Sequence, residues 1–220
     1  MANPIEILKN TRLTQTERTA LSDNRMLDVA IKLIVERGTG KTTLKEVGEL
    51  AGYSRGLASY RFGSKEGLFN FVVHAISEEW LHELTKATED KQGIDAIHSA
   101  TDAHYQFCCV APAHVRAFYI LWFESITPGS ETKEVIFGVH RRRQRDVKKW
   151  IITAINMGDV DPSVDANNAA AQYCSALIGI VYQWLLNPDS MDEIEQLHEG
   201  LKRTMNILLI PRDIQEQRFT

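Results

Sequence analysis

Between Thr42 and Lys65 the chain reads TTLKEVGELAGYSRGLASYRFGSK, a compact run of hydroxyl and cationic side chains. Thr42, Thr43, Tyr53, Ser54, Ser59 and Tyr60 offer hydroxyl groups, and Arg55, Arg61 and Lys65 offer positive charge. Groups of this kind contact phosphate oxygens, and an arginine fork matches the edge of guanine. Thr42, Thr43, Ser54, Tyr60 and Lys65 are therefore candidates for phosphate contact, with Tyr53 beside them in the turn. Arg55, Ser59 and Arg61 are candidates for reading base edges, and Gly56 would let their helix approach a ligand closely.

Two short helices must present these groups. Thr43 can cap the first, with Glu46 three residues on reaching back to complete a capping box. Leu44, Val47, Leu50 and Ala51 fall on one face of it. Gly52 ends it, since glycine enters the left-handed conformation without steric cost. Ser54 can cap the second helix, from about Arg55 to Phe62, with Leu57, Ala58 and Phe62 for packing. Two short helices around a glycine-containing turn form a helix-turn-helix, the geometry of a major-groove reader. The bland reading is a helical hairpin in an all-α core. The crowding of donors on one small unit favours DNA.

The order of Gly38, Thr42, Thr43, Leu44, Val47, Ala51, Gly52, Ser54, Gly56, Phe62, Ser64, Lys65, Glu66 and Leu68 resembles the N-terminal domain of the tetracycline-repressor (TetR) family of one-component regulators. The resemblance covers about fifty residues. Gly48 stands where the family commonly has alanine, Ala58-Ser59 where it often has Leu-Tyr, and Arg61 where histidine is common. The resemblance implies a dimeric regulator, released from DNA by a small molecule, whose last two helices pair with their copies in a four-helix bundle.

Composition fits that outline. At 220 residues, 44% hydrophobic and 25% charged, the chain is long enough for two domains and ordinary for a globular protein. The net charge of −4 hides a split. Residues 1–67 carry eleven Lys/Arg against eight Asp/Glu, a net +3, and residues 68–220 carry fourteen against twenty-one, a net −7. A basic head on an acidic body suits DNA contact through the head alone. Three cysteines do not make a disulfide framework, and no signal peptide or membrane span is expected, so the expected location is cytoplasmic.

A first helix from the Thr14–Glu17 capping box to about Arg37 completes a three-helix head, with Met26, Leu27, Ala30, Ile31, Ile34 and Val35 as its apolar side. A long helix then opens at Ser64 and runs to about Glu89, able to act as a lever. Five more follow, giving an all-α chain of about nine helices: a DNA-binding domain over 1–67 and a ligand-binding and dimerisation domain over 68–220. The last two carry apolar residues on more than one face, which fits either a partner copy or a monomer core.

In the body, Phe107, Phe118, Tyr119, Trp122 and Phe123 fall on neighbouring helices. They read as core or as the wall of an apolar ligand pocket. His104, His140 and Arg143 lie within apolar stripes, where a polar group needs a partner: a ligand, Glu124 or Asp102. The basic run Arg141, Arg142, Arg143, Arg145, Lys148 and Lys149 reads as a solvated face or a phosphate contact. His104 and Cys108 share a face, but no further metal ligand has suitable spacing, and no hydrolase or P-loop motif occurs. No cofactor is expected. The leading expectation is a homodimeric DNA-binding regulator, most simply a repressor. An all-helical binding protein or enzyme, and a helical adaptor, are the other readings.

Overall fold

The computed structural model describes residues 14–209. The described residues hold nine α-helices, one 3-10 turn and no strand. Contacts divide the chain into two compact units, with the boundary between Leu68 and Phe69.

The first unit begins with α1, Gln15–Arg37. Thr14 caps it, accepting from the Glu17 amide at 3.2 Å while the Glu17 carboxylate accepts from the Thr14 amide at 2.7 Å. Met26, Ala30, Ile31, Leu33 and Ile34 form its buried face. Gly38 stops the helix at φ 77°, and a 3-10 turn, Thr39–Lys41, leads to α2, Leu44–Leu50. Thr43 caps α2 at 3.2 Å, but the reciprocal arm of the expected box is absent. Glu46 instead pairs with Arg37 and ties α2 to α1. Leu50, expected on the apolar face, is 58% exposed, while Val47 and Ala51 are buried.

The α3 helix, Arg55–Phe62, packs against α2 through Ala58 and Gly48. A Cβ on Gly48 would meet the Ser54 carbonyl at 2.9 Å and the Ala58 Cβ at 3.2 Å. That closeness gives the physical reason for glycine there. The next helix, α4, spans Lys65–Thr88 and carries the chain into the second unit.

The second unit comprises the rest of α4 with α5 (Gly93–Val110), α6 (Pro112–Glu124), α7 (Thr132–Met157), α8 (Ala166–Leu186) and α9 (Met191–Leu209). Pro112 opens α6 at a position where a missing amide is harmless. The α5 helix packs on α7 and α9, and α8 lies between α7 and α9. Tyr173, Cys174, Leu177, Ile180, Val181 and Trp184 form the buried stripe of α8. The α8 helix is long and apolar enough to cross a membrane by length and composition alone. Its buried stripe shows what much of that apolarity serves: the core of this unit.

Candidate nucleic-acid interface and ligand cavity

The head sorts its donors into two groups. Ser54 caps α3 by accepting from the Leu57 amide at 3.1 Å, and Thr43 caps α2 in the same way. Both are exposed, and each keeps its hydroxyl proton for an outside acceptor. Arg55 and Gly56 are exposed on the first turn of α3, and Tyr60 is 89% exposed on its last. Tyr53 and Ser59 are half-buried beside them. A Cβ on Gly56 would touch nothing closer than Ser54 Oγ at 3.7 Å, so nothing inside the protein requires glycine there.

One expected contact is corrected, and a second residue also serves the fold. Thr42 is fully buried, and its hydroxyl donates to the Gly38 carbonyl at 3.0 Å. It closes the turn after α1 and has no proton left for a phosphate. Arg61 is exposed and reaches α1, where Nε donates to Asp23 Oδ1 at 2.8 Å and Nη2 to Oδ2. That fork ties α3 to α1 through Nε and Nη2, while the side chain stays 43% exposed. Lys65 Nζ donates to the Gly40 carbonyl at 3.2 Å and steadies the turn before α2.

In the second unit two apolar clefts meet. One is walled mainly by Trp80, Leu81, Leu84, Trp150 and Leu177. The other is walled by Ile76, His104, Phe107, Val115, Phe118 and Tyr119. Ser77, Trp80, Val139 and Arg143 line both. Of the residues expected at a ligand site, His104, Phe107, Phe118, Tyr119 and Arg143 line these clefts. Trp122, Phe123 and His140 line neither and sit behind them. Trp122 stacks on Tyr119 with centroids 5.7 Å apart, His140 meets Trp122 edge-on at 5.5 Å, and Phe123 packs between Tyr119 and Tyr182. The sequence reading missed the α4 wall, Ser77 and Trp80. The only signal for it was the apolar stripe of that helix, which says buried and not what against.

The expected protein partners, Glu124 and Asp102, serve neither His104 nor Arg143. Asp102 pairs with Lys202 at 2.6 Å. His104 Nδ1 lies 2.9 Å from His198 Nε2, and His198 Nδ1 lies 2.7 Å from the Ile194 carbonyl. A carbonyl only accepts, so His198 carries its proton on Nδ1. Burial holds His198 below the ordinary imidazole range, although the Ile194 bond opposes it. Burial pushes His104 lower still, with His198 and Arg143 acting the same way. Both rings are therefore neutral at pH 7. His198 Nε2 accepts, His104 Nδ1 donates, and His104 Nε2 keeps a free lone pair.

Tyr173 is committed likewise. Thr101 donates its only hydroxyl proton to the Ile97 carbonyl at 2.8 Å, so Tyr173 must donate to Thr101 at 2.9 Å. Arg143 Nη1 donates to the Tyr119 hydroxyl at 2.9 Å, and the guanidinium lies over Trp122 at 5.6 Å. His140 Nδ1 is buried with no partner. Beside His104, burial pushes the Cys108 thiol up to about 12. Among the described residues no group of three or more His, Cys, Asp or Glu could hold a metal. On the outer face of α7, Arg142 faces Glu78 at 3.9 Å and Arg141 covers Phe137 at 4.7 Å, the behaviour of a solvated face.

Residues 26–72 match the model of a family described as bacterial regulatory proteins, tetR family. Over 193 residues the chain is 23% identical to the HTH-type transcriptional regulator TtgR of Pseudomonas putida, covering 84% of this chain and 90% of that one. It also resembles SmeT, the repressor of the Stenotrophomonas maltophilia multidrug efflux pump SmeDEF, in a triclosan complex. That likeness has a TM-score of 0.72 and 18% identity, over 87% of this chain and 92% of that chain. NalD, the secondary repressor of the MexAB-OprM multidrug efflux pump in Pseudomonas aeruginosa, gives a TM-score of 0.70 at 20% identity, over 89% and 99% of the two chains.

Proposed function

Because this chain belongs to the tetR family of bacterial regulatory proteins, we propose that it is a cytoplasmic repressor that leaves its operator when a small molecule fills its body. The exposed tip of α3 carries the first half of that reading. Arg55, Gly56 and Tyr60 face outward with no structural duty, and an 89% exposed tyrosine is unusual unless something meets it. In this arrangement Arg55 and Ser59 read bases. Thr43, Ser54, Tyr60 and Lys65 hold phosphates, together with the free amides at the start of α3.

A homodimer completes the site, since two recognition helices about 34–36 Å apart meet successive major-groove faces of a palindrome. The pairing surface we assign is the outer face of α8 and α9. Gly179, Tyr182 and Leu186 are exposed on α8, and Leu197 and Leu208 on α9.

The two clefts are the effector site in this reading. Trp80, Leu81 and Leu84 belong to α4, the helix that begins immediately after the head's α3 segment. A ligand that favours one placement of α4 over another shifts the population of DNA-competent dimers by its differential affinity alone. The relatives support a ligand-responsive reading, since SmeT has been seen with triclosan bound.

The decisive measurement is affinity for a palindrome selected from random DNA, followed across salt concentration. Phosphate contacts impose a steep fall of log K with log salt. A negligible affinity with no salt slope would return the protein to the class of helical binding proteins or enzymes.

A further inference from the structure

Resting on the reading of the two clefts as an effector site, we propose that the effector is an apolar monocarboxylate whose anionic end is received by Arg143. The guanidinium lies where the clefts meet, since Arg143 lines both. It makes one hydrogen bond, to the neutral hydroxyl of Tyr119, and no ion pair with any described carboxylate. A guanidinium has five donors, so four N–H groups remain. Arg143 is half-buried and none of its nitrogens is a buried atom without a partner, so these N–H groups open to the clefts, where an anion can meet them.

The Trp122 and Tyr119 rings lie under the guanidinium, but no described anion pairs with it. His104 is neutral. Tyr119 is held in its phenol form by burial, against the pull of Arg143. Asp146 lines the outer cleft one turn along α7 but lies outside ion-pair range of Arg143, and the charges acting on it are those of Arg145, Arg142 and Lys149.

The donors also converge. Tyr119 accepts from Arg143, which leaves its own proton for a second acceptor beside the guanidinium. A carboxylate can take that O–H with one oxygen and an Arg143 N–H with the other, and its charge makes both bonds stronger than those to a neutral amide oxygen. The remaining walls, Trp80, Phe107, Phe118 and Leu177 among them, are apolar and suit a flat or aliphatic body.

The test is calorimetric titration of the full-length protein with 2-naphthoate and with its neutral isostere 2-naphthamide. The wild type should bind the carboxylate at least about tenfold more tightly, the smaller end of what a charge-assisted pair gives. Arg143→Met should abolish that preference by weakening naphthoate alone, and Arg143→Lys should keep part of it. Should Arg143→Met fail to fold by circular dichroism, the wild-type ratio and the Arg143→Lys ratio decide. Equal affinities in the wild type overturn the proposal and leave the pocket standing. A preference that survives Arg143→Met also overturns it, because the anion is then held elsewhere. Binding of neither compound removes the pocket reading as well.

Discussion

The two arginines of α3 look alike in the sequence and do different work. Arg55 is exposed and makes no hydrogen bond or ion pair with a described residue, whereas Arg61 forks onto Asp23, a nearly buried carboxylate on α1. Arg55→Ala should lose about 1–3 kcal/mol at one base position and relax specificity there, read by competition among single-base operator variants. Arg61→Ala should instead lower folding stability by about 1 kcal/mol, kept small because the arginine is partly exposed, and weaken all operators alike. Urea unfolding separates the two. The buried histidines make a second prediction. Both His104 and His198 have folded-state pKa values below the ordinary 6.5, so the unfolded chain binds protons first as pH falls. Their contribution to stability is complete above about pH 6.5 and declines below it. Urea midpoints should drop between pH 7.5 and 5.5, before most carboxylates titrate, and His198→Gln should flatten the drop. A midpoint constant over that range would mean the pair is not neutral in the folded protein.

Among the elements, the same substitution should act with opposite signs in adjacent helices. Gly56→Ala puts a methyl into open space on α3 and gains about 0.5–1 kcal/mol of helix propensity. If α3 lies in the major groove, that methyl occupies the approach, so stability should rise while operator affinity falls. Gly48→Ala gains the same propensity but drives its Cβ to 2.9 Å from the Ser54 carbonyl, so α2 and α3 must separate and stability should fall. Thermal melts of both variants, with DNA binding for Gly56→Ala, check the pair. These elements also mark where sequence reading reached its limit. Caps and stops are local, so Thr14 with Glu17, Gly38, Gly52, Ser54 and Pro112 place helix ends from neighbouring residues alone. Apolar recurrence gave the long helices for the same reason. Partnerships across the fold leave no such mark. Glu46 turns to Arg37, Arg61 to Asp23, and His104 to His198, 94 residues away. Thr42 was misread because a threonine beside a turn presents the same letters whether its hydroxyl faces water or the preceding carbonyl. The clefts were half legible: Phe107, Phe118 and Tyr119 came from α5 and α6, while the α4 wall required knowing which helix covers them.

At the scale of the whole molecule, charge and exposed surface converge on a pair of subunits. The head's net +3 against the body's −7 means that only the head is drawn to a duplex, and a single small head makes few phosphate contacts. Two heads on one palindrome convert the second contact into an intramolecular event, raising affinity by about 10² to 10⁴ with no new chemistry. What would hold them together is the outer face of α8 and α9, where Leu186 is 65% exposed and Tyr182 48% exposed, on a helix whose opposite stripe already fills the core. Leu186→Glu touches none of that core, so helical content and melting should stay near wild type. It sets a charge against its own copy at a two-fold interface, so the mass in solution should fall to that of one chain, 24.9 kDa. A monomer meets half the phosphates, and its slope of log K against log salt should be about half that of the wild type on the same palindrome. A wild type already monomeric in solution, or a variant that keeps both mass and slope, would show that this face does not pair with its copy.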